Sequence, residues 1–400
     1  MDDETLERAR ALFLEGNASF AAGRFADATA RFEASLELVP GRTSTLANLG
    51  AARLRAGRAH EAIAPLEQAL ASEPDDLQSR AHLGLAYAAL GRYGEALACH
   101  DRVLAAEPGH APSWLARGEA LRFLERHDEA LVAFERANAI VPALPAAWTQ
   151  RGSILRDQGR LGEARHAFEQ ALLHGGDAEL NGYFLAALSG RNVPAQAPTG
   201  YVRRFFDEYA TSFDEHLVAT LGYRAPELLT AQISALGPRR FAATLDLGCG
   251  TGLCGPLLRP MSERLTGIDL SQRMLDRAVA RGVYDALLRV DIVSHLRSSG
   301  ERHDLLVAAD VFIYIGALGP VFEGAARVLR PDGLFAFSAE ATGAESDDVV
   351  LLPNLRYAHS ERHVRELAAQ QGLAVASLVR APLRREQARE VEGLCVVLRR

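Results

Sequence analysis

The chain has 400 residues, 48% hydrophobic and 24% charged, a globular balance with length for two or three domains. All 44 basic residues are arginines, set against 51 acids for a net charge of −7; this excludes a Schiff-base or Walker lysine and offers no basic body for nucleic acid. Four cysteines without metal or disulfide spacing, an acidic start without a secretory signal pattern and no bilayer-length apolar run predict a cytoplasmic protein, with no metal and no membrane partner.

The first 190 residues are periodic. Pro40, Pro74, Pro108 and Pro142 recur every 34 residues, the tetratricopeptide period. Gly16, Gly50, Gly84, Gly118 and Gly152 mark the close-packing point of each unit's first helix. Ala28, Ala62, Ala96, Ala130 and Ala164 mark the place where the two helices cross. Phe32, Leu66, Phe134 and Phe168 fill the second helix, with His100 at the equivalent place in the third unit. The pattern predicts five repeats over roughly residues 9–176 and a capping helix at Ala178–Ser189, together residues 1–190. Such arrays form a superhelix with a concave groove, so the expected partner is a protein or peptide. An array that only rigidifies or dimerises the chain is the plainer alternative. Asn17 and Asn48 match the asparagines of a C-terminal carboxylate clamp, but Phe13, Gln78 and His82 stand where its basic residues belong, so no such clamp is expected. Glu119, Arg122, Arg156 and Asp157 are expected to face the groove of the last two units.

Residues 191–200, Gly-, Pro- and small-residue-rich with Gly190 before them, read as a linker. After it, helices are expected near 201–219 and 224–235. Strands are expected near 243–247, 264–268, 285–290, 304–310, 333–339, 373–379 and 392–398, alternating with helices. That alternation predicts a doubly wound, mostly parallel, seven-stranded Rossmann-like sheet over 201–400, with ligands beyond the strand C-termini. The fold class is therefore α + α/β, an all-α superhelix followed by an α/β domain.

Leu245-Asp246-Leu247-Gly248-Cys249-Gly250-Thr251-Gly252 delivers an apolar strand to a bend with three alternating glycines. Without Cβ atoms the backbone can turn sharply and a ligand can lie against it. A second apolar strand ends in Asp269, about 20 residues on, the spacing that sets an acid beside a ribose diol. Gly250-Thr-Gly252-Leu-Cys-Gly255 also fits the dinucleotide fingerprint, so NAD must be weighed. Against it, the turn already begins at Gly248, and Asp246 would meet a diphosphate at close range; an ammonium or sulfonium would suit that acid.

Leu245–Gly252 resembles motif I of the class I S-adenosylmethionine-dependent methyltransferases. Arg289-Val-Asp291-Ile292, the run Asp304–Tyr314 and the run Val328–Phe337 resemble later parts of the same fold. Tyr201–Asp214 resembles its lid helix. With Arg356-Tyr357-Ala358-His359-Ser360, the chain is similar over nearly its whole length to bacterial methyltransferases with N-terminal tetratricopeptide repeats. This resemblance implies S-adenosylmethionine as cofactor and methyl transfer as reaction, without naming the acceptor. Carried over by residue, Gly248, Gly250 and Gly252 shape the loop around the donor's methionine part, and Asp246 faces its positive groups. Asp269 takes the ribose hydroxyls, Leu270 flanks the adenine, and Asp291 and Ile292 hold it. Tyr209 and Phe213 belong to the lid, and Asp310 to Tyr314 line the pocket near the methyl group. After Asp310 the Pro-Pro-Tyr/Phe of amide- and adenine-methylating enzymes is absent, so a small molecule or protein side chain methylated on oxygen, carbon or amine nitrogen is expected.

Tyr314 and His359 are the candidates for proton transfer, one by its hydroxyl and one by titrating near neutrality; a lone histidine is otherwise a capping or packed residue. Arg356 and Tyr357 are the candidate acceptor-binding residues; Arg356 could bind an acceptor carboxylate or simply pair with a neighbouring acid. Two other readings stand beside the enzyme: an interaction scaffold on an inactive methyltransferase fold, and a nicotinamide oxidoreductase.

Overall fold

The computed structural model describes residues 2–343, 348–386 and 389–400, without the side chains of Val218 and Ala219 in the expected 201–219 helix. The chain forms two compact units, Met1–Asn181 and Gly182–Arg400. Among the described residues no helix is long and apolar enough to cross a membrane.

The first unit is five successive helix pairs: α1 (Asp3–Ala21) with α2 (Phe25–Leu38), α3 (Thr43–Arg55) with α4 (Ala59–Ser72), α5 (Leu77–Ala89) with α6 (Tyr93–Ala106), α7 (Ala111–Phe123) with α8 (His127–Ile140), and α9 (Pro145–Asp157) with α10 (Leu161–Leu173). A Cβ on Gly16, Gly50, Gly84, Gly118 or Gly152 would stand 2.4–2.7 Å from Phe32, Leu66, His100, Phe134 or Phe168, so each glycine exists to admit its neighbour. The five crossing-point alanines are fully buried. His100 is also buried, with Nδ1 3.3 Å from the Ser113 hydroxyl and Nε2 without a partner among the described residues. Burial pushes its pKa down to about 4, so the ring is neutral. Asn48 Nδ2 donates to Asn17 Oδ1 at 2.8 Å, which engages the two clamp-like asparagines with each other. Arg156 pairs with Asp157 at 2.7 Å, and Arg122 lies over the Phe123 ring.

A helix α11 (Ala178–Ser189) leads into the second unit, where Ala197 N–H donates to the Tyr314 carbonyl at 2.9 Å and Gln196 pairs with Ile315. The helix expected over 201–219 is broken: α12 (Thr199–Tyr209) is followed by a turn and a π-helical segment, Glu215–Thr220. The break coincides with Thr211-Ser212, whose hydroxyls compete with helical backbone bonds. Next come α13 (Ala225–Ala235), β1 (Phe241–Leu247), α14 (Gly255–Leu258), β2 (Ser262–Asp269), α15 (Gln272–Ala280), β3 (Ala286–Arg289), α16 (Ile292–Ser298), β4 (His303–Ala308), α17 (Gly319–Val328) and β5 (Leu329–Ala341). Then follow β6 (Val349–Leu351), β7 (Tyr357–His359), α18 (Glu361–Gln370), β8 (Ala374–Glu386) and β9 (Arg389–Arg399).

The sheet runs β3-β2-β1-β4-β5-β7-β6, with β9 antiparallel between β5 and β8. It is mostly parallel and doubly wound, with nine described strands where seven were expected; β6 and β7, three residues each, are too short to show a period. Strand residues alternate between two cores: Leu306, Ala308, Phe335 and Phe337 pack on one face, Leu305, Val307, Leu334 and Ala336 on the other. The strand order reverses between β1 and β4, and ligands of such sheets bind beyond the strand ends at that point. All four cysteines (Cys99 in α6, Cys249 and Cys254 in the glycine turn, Cys395 in β9) are free and buried.

Candidate donor site and active site

The glycine bend stands at this switch point. Leu247 pairs with Ile268, and Cys249 N–H extends the ladder to the Ile268 carbonyl at 2.9 Å, which brings the turn alongside Asp269. Gly248, Gly250 and Gly252 have φ of +66°, +54° and +84°, the left-handed region that side chains disfavour. Nothing lies within 4 Å of a Cβ on Gly250, whereas one on Gly248 would strike Val311 at 2.7 Å. The bend is thus closed towards the β4 corner and open at Gly250. Asp269 is anchored by two amides: Gly250 N–H donates to Oδ2 at 2.9 Å and Ser271 N–H to Oδ1 at 2.8 Å. Burial raises its pKa, and these bonds oppose the shift.

Asp246 is buried beneath the turn and accepts the Tyr284 hydroxyl at 2.7 Å. Burial pushes its pKa up to about 7, against the hydrogen bond, with the Asp269 charge adding to the rise. The Tyr284 ring also stands where Cβ atoms on Gly252, Gly255 and Gly267 would go, at 2.8–3.0 Å. It supports the bend from below. Asp291 caps α16, accepting Ser294 N–H at 2.8 Å, and the adjoining Ile292 is buried; Leu270 is half-buried beside Asp269.

Four polar links tie α12 and the residues after it to this site. Ser271 Oγ–H donates to Asp207 at 2.5 Å and Arg277 donates to the Thr211 carbonyl at 2.9 Å. Asp214 accepts from Thr251 and from Arg281, the latter at 2.5 Å. The segment's rings form a chain: Tyr209 against Phe213 at 5.2 Å, Phe213 against Phe206 at 6.0 Å, and Phe206 edge-on to Tyr314 at 5.4 Å.

At the β4 corner Asp310 has φ +58° and its N–H donates to Ser338 Oγ at 2.8 Å. Its carboxylate does not face open space. Arg384, only 2% exposed, donates to both its oxygens at 2.9 and 3.0 Å, to Glu340 at 2.7 Å and, through Nε, to Glu386 at 2.7 Å. Arg356 donates to the same Glu386 oxygen. Tyr314 is half-buried, and burial raises its pKa, with the nearby Arg356 charge opposing; the phenol stays protonated at neutral pH. His359, expected as a titrating group, is instead fully buried, its Nε2 3.3 Å from the Phe312 carbonyl and its pKa pushed down to about 4 by burial. A ring so held is a neutral packing element at pH 7. Tyr357, expected beside the acceptor, is fully buried against Gly316 and donates to the Pro194 carbonyl at 2.8 Å.

A methyltransferase-domain family matches residues 245–337, from the glycine-turn strand into β5. Tetratricopeptide-repeat families match residues 53–118, 111–142 and 145–173. The chain thus joins segments that match tetratricopeptide-repeat families to a segment that matches a methyltransferase-domain family. Over 173 residues, 42% of this chain and 64% of the relative, it is 32% identical to the malonyl-[acyl-carrier protein] O-methyltransferase of Pseudescherichia vulneris. Over 86 residues, 21% of this chain and 35% of the relative, it is 43% identical to methyltransferase-like protein 27 of Homo sapiens. It therefore spans less than two thirds of these relatives' length. The crystal structure of a magnesium protoporphyrin IX methyltransferase from Synechocystis PCC 6803 with bound SAH aligns at 17% identity, covering 50% of this chain and 99% of that one, with a TM-score of 0.40.

The structure brings Asp246, the Gly248–Gly252 bend and Asp269 together at the ends of β1 and β2. Two residues that shape this site give no local signal in the sequence. Tyr284 lies in an unremarkable Val-Tyr-Asp string, and Arg384 in an arginine-rich one beyond the strand expected over 373–379.

Proposed function

We propose that this chain is an S-adenosylmethionine-dependent methyltransferase whose repeats recruit the acceptor or a protein that carries it. The observation that carries the reading is Asp269, fixed by the Gly250 and Ser271 amides at the ends of two adjacent parallel strands, beside a glycine bend that is open at Gly250. The site fits that cofactor: a Cβ at Gly250 would fill the open cradle, and the buried acid under the bend suits a cationic amino-acid group better than a diphosphate.

S-adenosylmethionine supplies a methyl group on a sulfonium. Gly248, Gly250 and Gly252 hold its methionine part, with Asp246 towards the ammonium. Asp269 has lone pairs left for the ribose hydroxyls, and Leu270, Asp291 and Ile292 bound the adenine. The ring chain of α12 excludes water above the site, and Tyr209 and Phe213 belong to that cover. Tyr314, protonated, orients an acceptor oxygen or nitrogen by donating its hydrogen. Since the acceptor-facing groups chiefly position, alignment and water exclusion provide most of the rate.

Titration calorimetry of the full chain with S-adenosylhomocysteine tests this. Micromolar binding is expected, weakened roughly 100-fold in Asp269→Ala, with no heat from NAD. Absence of heat with S-adenosylhomocysteine would favour a scaffold, and heat with NAD an oxidoreductase. Isotopically labelled donor in fractionated lysate, with and without the first unit, which ends at Asn181, then asks whether the repeats choose the acceptor.

A further inference from the structure

The Arg384 cluster has a charge count that says how it can bind. Three carboxylates, Asp310, Glu340 and Glu386, surround two guanidiniums, Arg384 and Arg356, leaving one negative charge over in a nearly closed space. The acids are not equivalent. Asp310 and Glu340 fix Arg384 from the ends of β4 and β5, and their side chains are 13% and 9% exposed. Glu386 ends β8, is 28% exposed, and offers one oxygen to both arginines. Arg384 is thereby locked, while its Nε and the Arg356 head converge on one carboxylate oxygen. The cluster adjoins the expected methyl-transfer corner: Asp310 begins it, and Tyr314 ends it.

We infer that the two guanidiniums form the subsite for a carboxylate on the acceptor, and that Glu386 fills that subsite until the acceptor displaces it. The inference rests on the methyltransferase reading and narrows its acceptor to a carboxylate-bearing molecule. A fourth acid added to the cluster would raise its excess charge, which burial penalises steeply. Exchange of the Glu386 carboxylate for the acceptor's leaves the count unchanged, and the most exposed of the three acids is the one that can rotate away. Each acid already holds an arginine, so an ammonium would have to approach past a guanidinium, whereas a carboxylate replaces Glu386 on donors already in place. Planar forked guanidinium donors are the usual holders of carboxylate.

The test titrates succinate, uncharged succinamide and 1,4-diaminobutane into the full chain, alongside S-adenosylhomocysteine. In Glu386→Gln, succinate affinity is expected to rise about tenfold over wild type, as a charge-assisted competitor is lost. Adding Arg356→Gln to that variant is expected to abolish the gain, and succinamide and the diamine give no heat throughout. Unchanged succinate affinity in Glu386→Gln, equal binding of succinamide, or binding of the diamine alone would overturn the subsite. Should that variant not fold, Glu386→Asp, one methylene shorter, is expected to bind succinate more tightly than wild type, and failure to do so overturns it equally. Intact S-adenosylhomocysteine binding in the same series would show that the donor site survives such a failure.

Discussion

The glycines inside the repeat helices and the glycine at the centre of the bend are required for different reasons. In the repeats, Gly50, Gly118 and their equivalents sit within helices, and a neighbouring side chain occupies the space of a Cβ, at 2.5 Å for Phe134 beside Gly118. In the methyltransferase domain, Gly250 has no neighbour within 4 Å, and its φ of +54° is what excludes a side chain. Packing glycines keep helices close; conformational glycines leave a surface bare. The first kind serves stability, and the second can serve a ligand.

Paired alanine substitutions would break that contrast if it is wrong. Gly250→Ala is expected to lower S-adenosylhomocysteine affinity roughly 100-fold while costing only about 1 kcal/mol of stability, the strain of one left-handed residue. Gly152→Ala is expected to show the reverse: about 1–3 kcal/mol lost from overpacking against Phe168, read by urea unfolding, with donor affinity unchanged. Equal effects of both variants on binding would refute the division.

The buried acids sharpen the comparison further. Asp246 has its pKa raised to about 7, chiefly by burial, so the folded state holds its proton longer than the unfolded chain does. The stability it contributes is full below the ordinary carboxylate range and is lost as pH climbs through about 7. An ammonium beside it favours the ionised form, so donor binding releases a proton. Donor affinity should therefore rise roughly tenfold between about pH 6 and about pH 8, and Asp246→Asn should flatten that slope. A slope that persists in the variant would assign it elsewhere. The smallest effect belongs to the repeats: His100→Phe installs the ring used at Phe32, Phe134 and Phe168 and removes an unpartnered Nε2, for a gain of about 1 kcal/mol in unfolding free energy.

What the sequence discloses follows the same division. The repeats are legible because each contact recurs after a fixed interval, and Gly16 with Phe32 repeats through to Gly152 with Phe168. The glycine bend is legible because turn, strand and acid lie within one short segment. Tyr284 is not, because it meets Asp246 across 38 residues and three glycines that individually look like loop residues. Arg384 is harder still: its acids Asp310 and Glu340 are 74 and 44 residues away, and Arg380 and Arg385 beside it look identical in the string. Only the sheet, running β5-β9-β8, carries Arg384 to the ends of β4 and β5. The same argument covers Glu386, since β8 continues well past the expected 379.

The four enclosed thiols, each made less acidic by its surroundings, turn the native chain into a silent substrate for alkylating reagents. Modification at Cys99 would time the opening of the third repeat, and modification at Cys249 or Cys254 the opening of the glycine bend. A mass-resolved labelling course could thus report, from one unaltered polypeptide, which half yields first and whether a nucleoside ligand delays only the second.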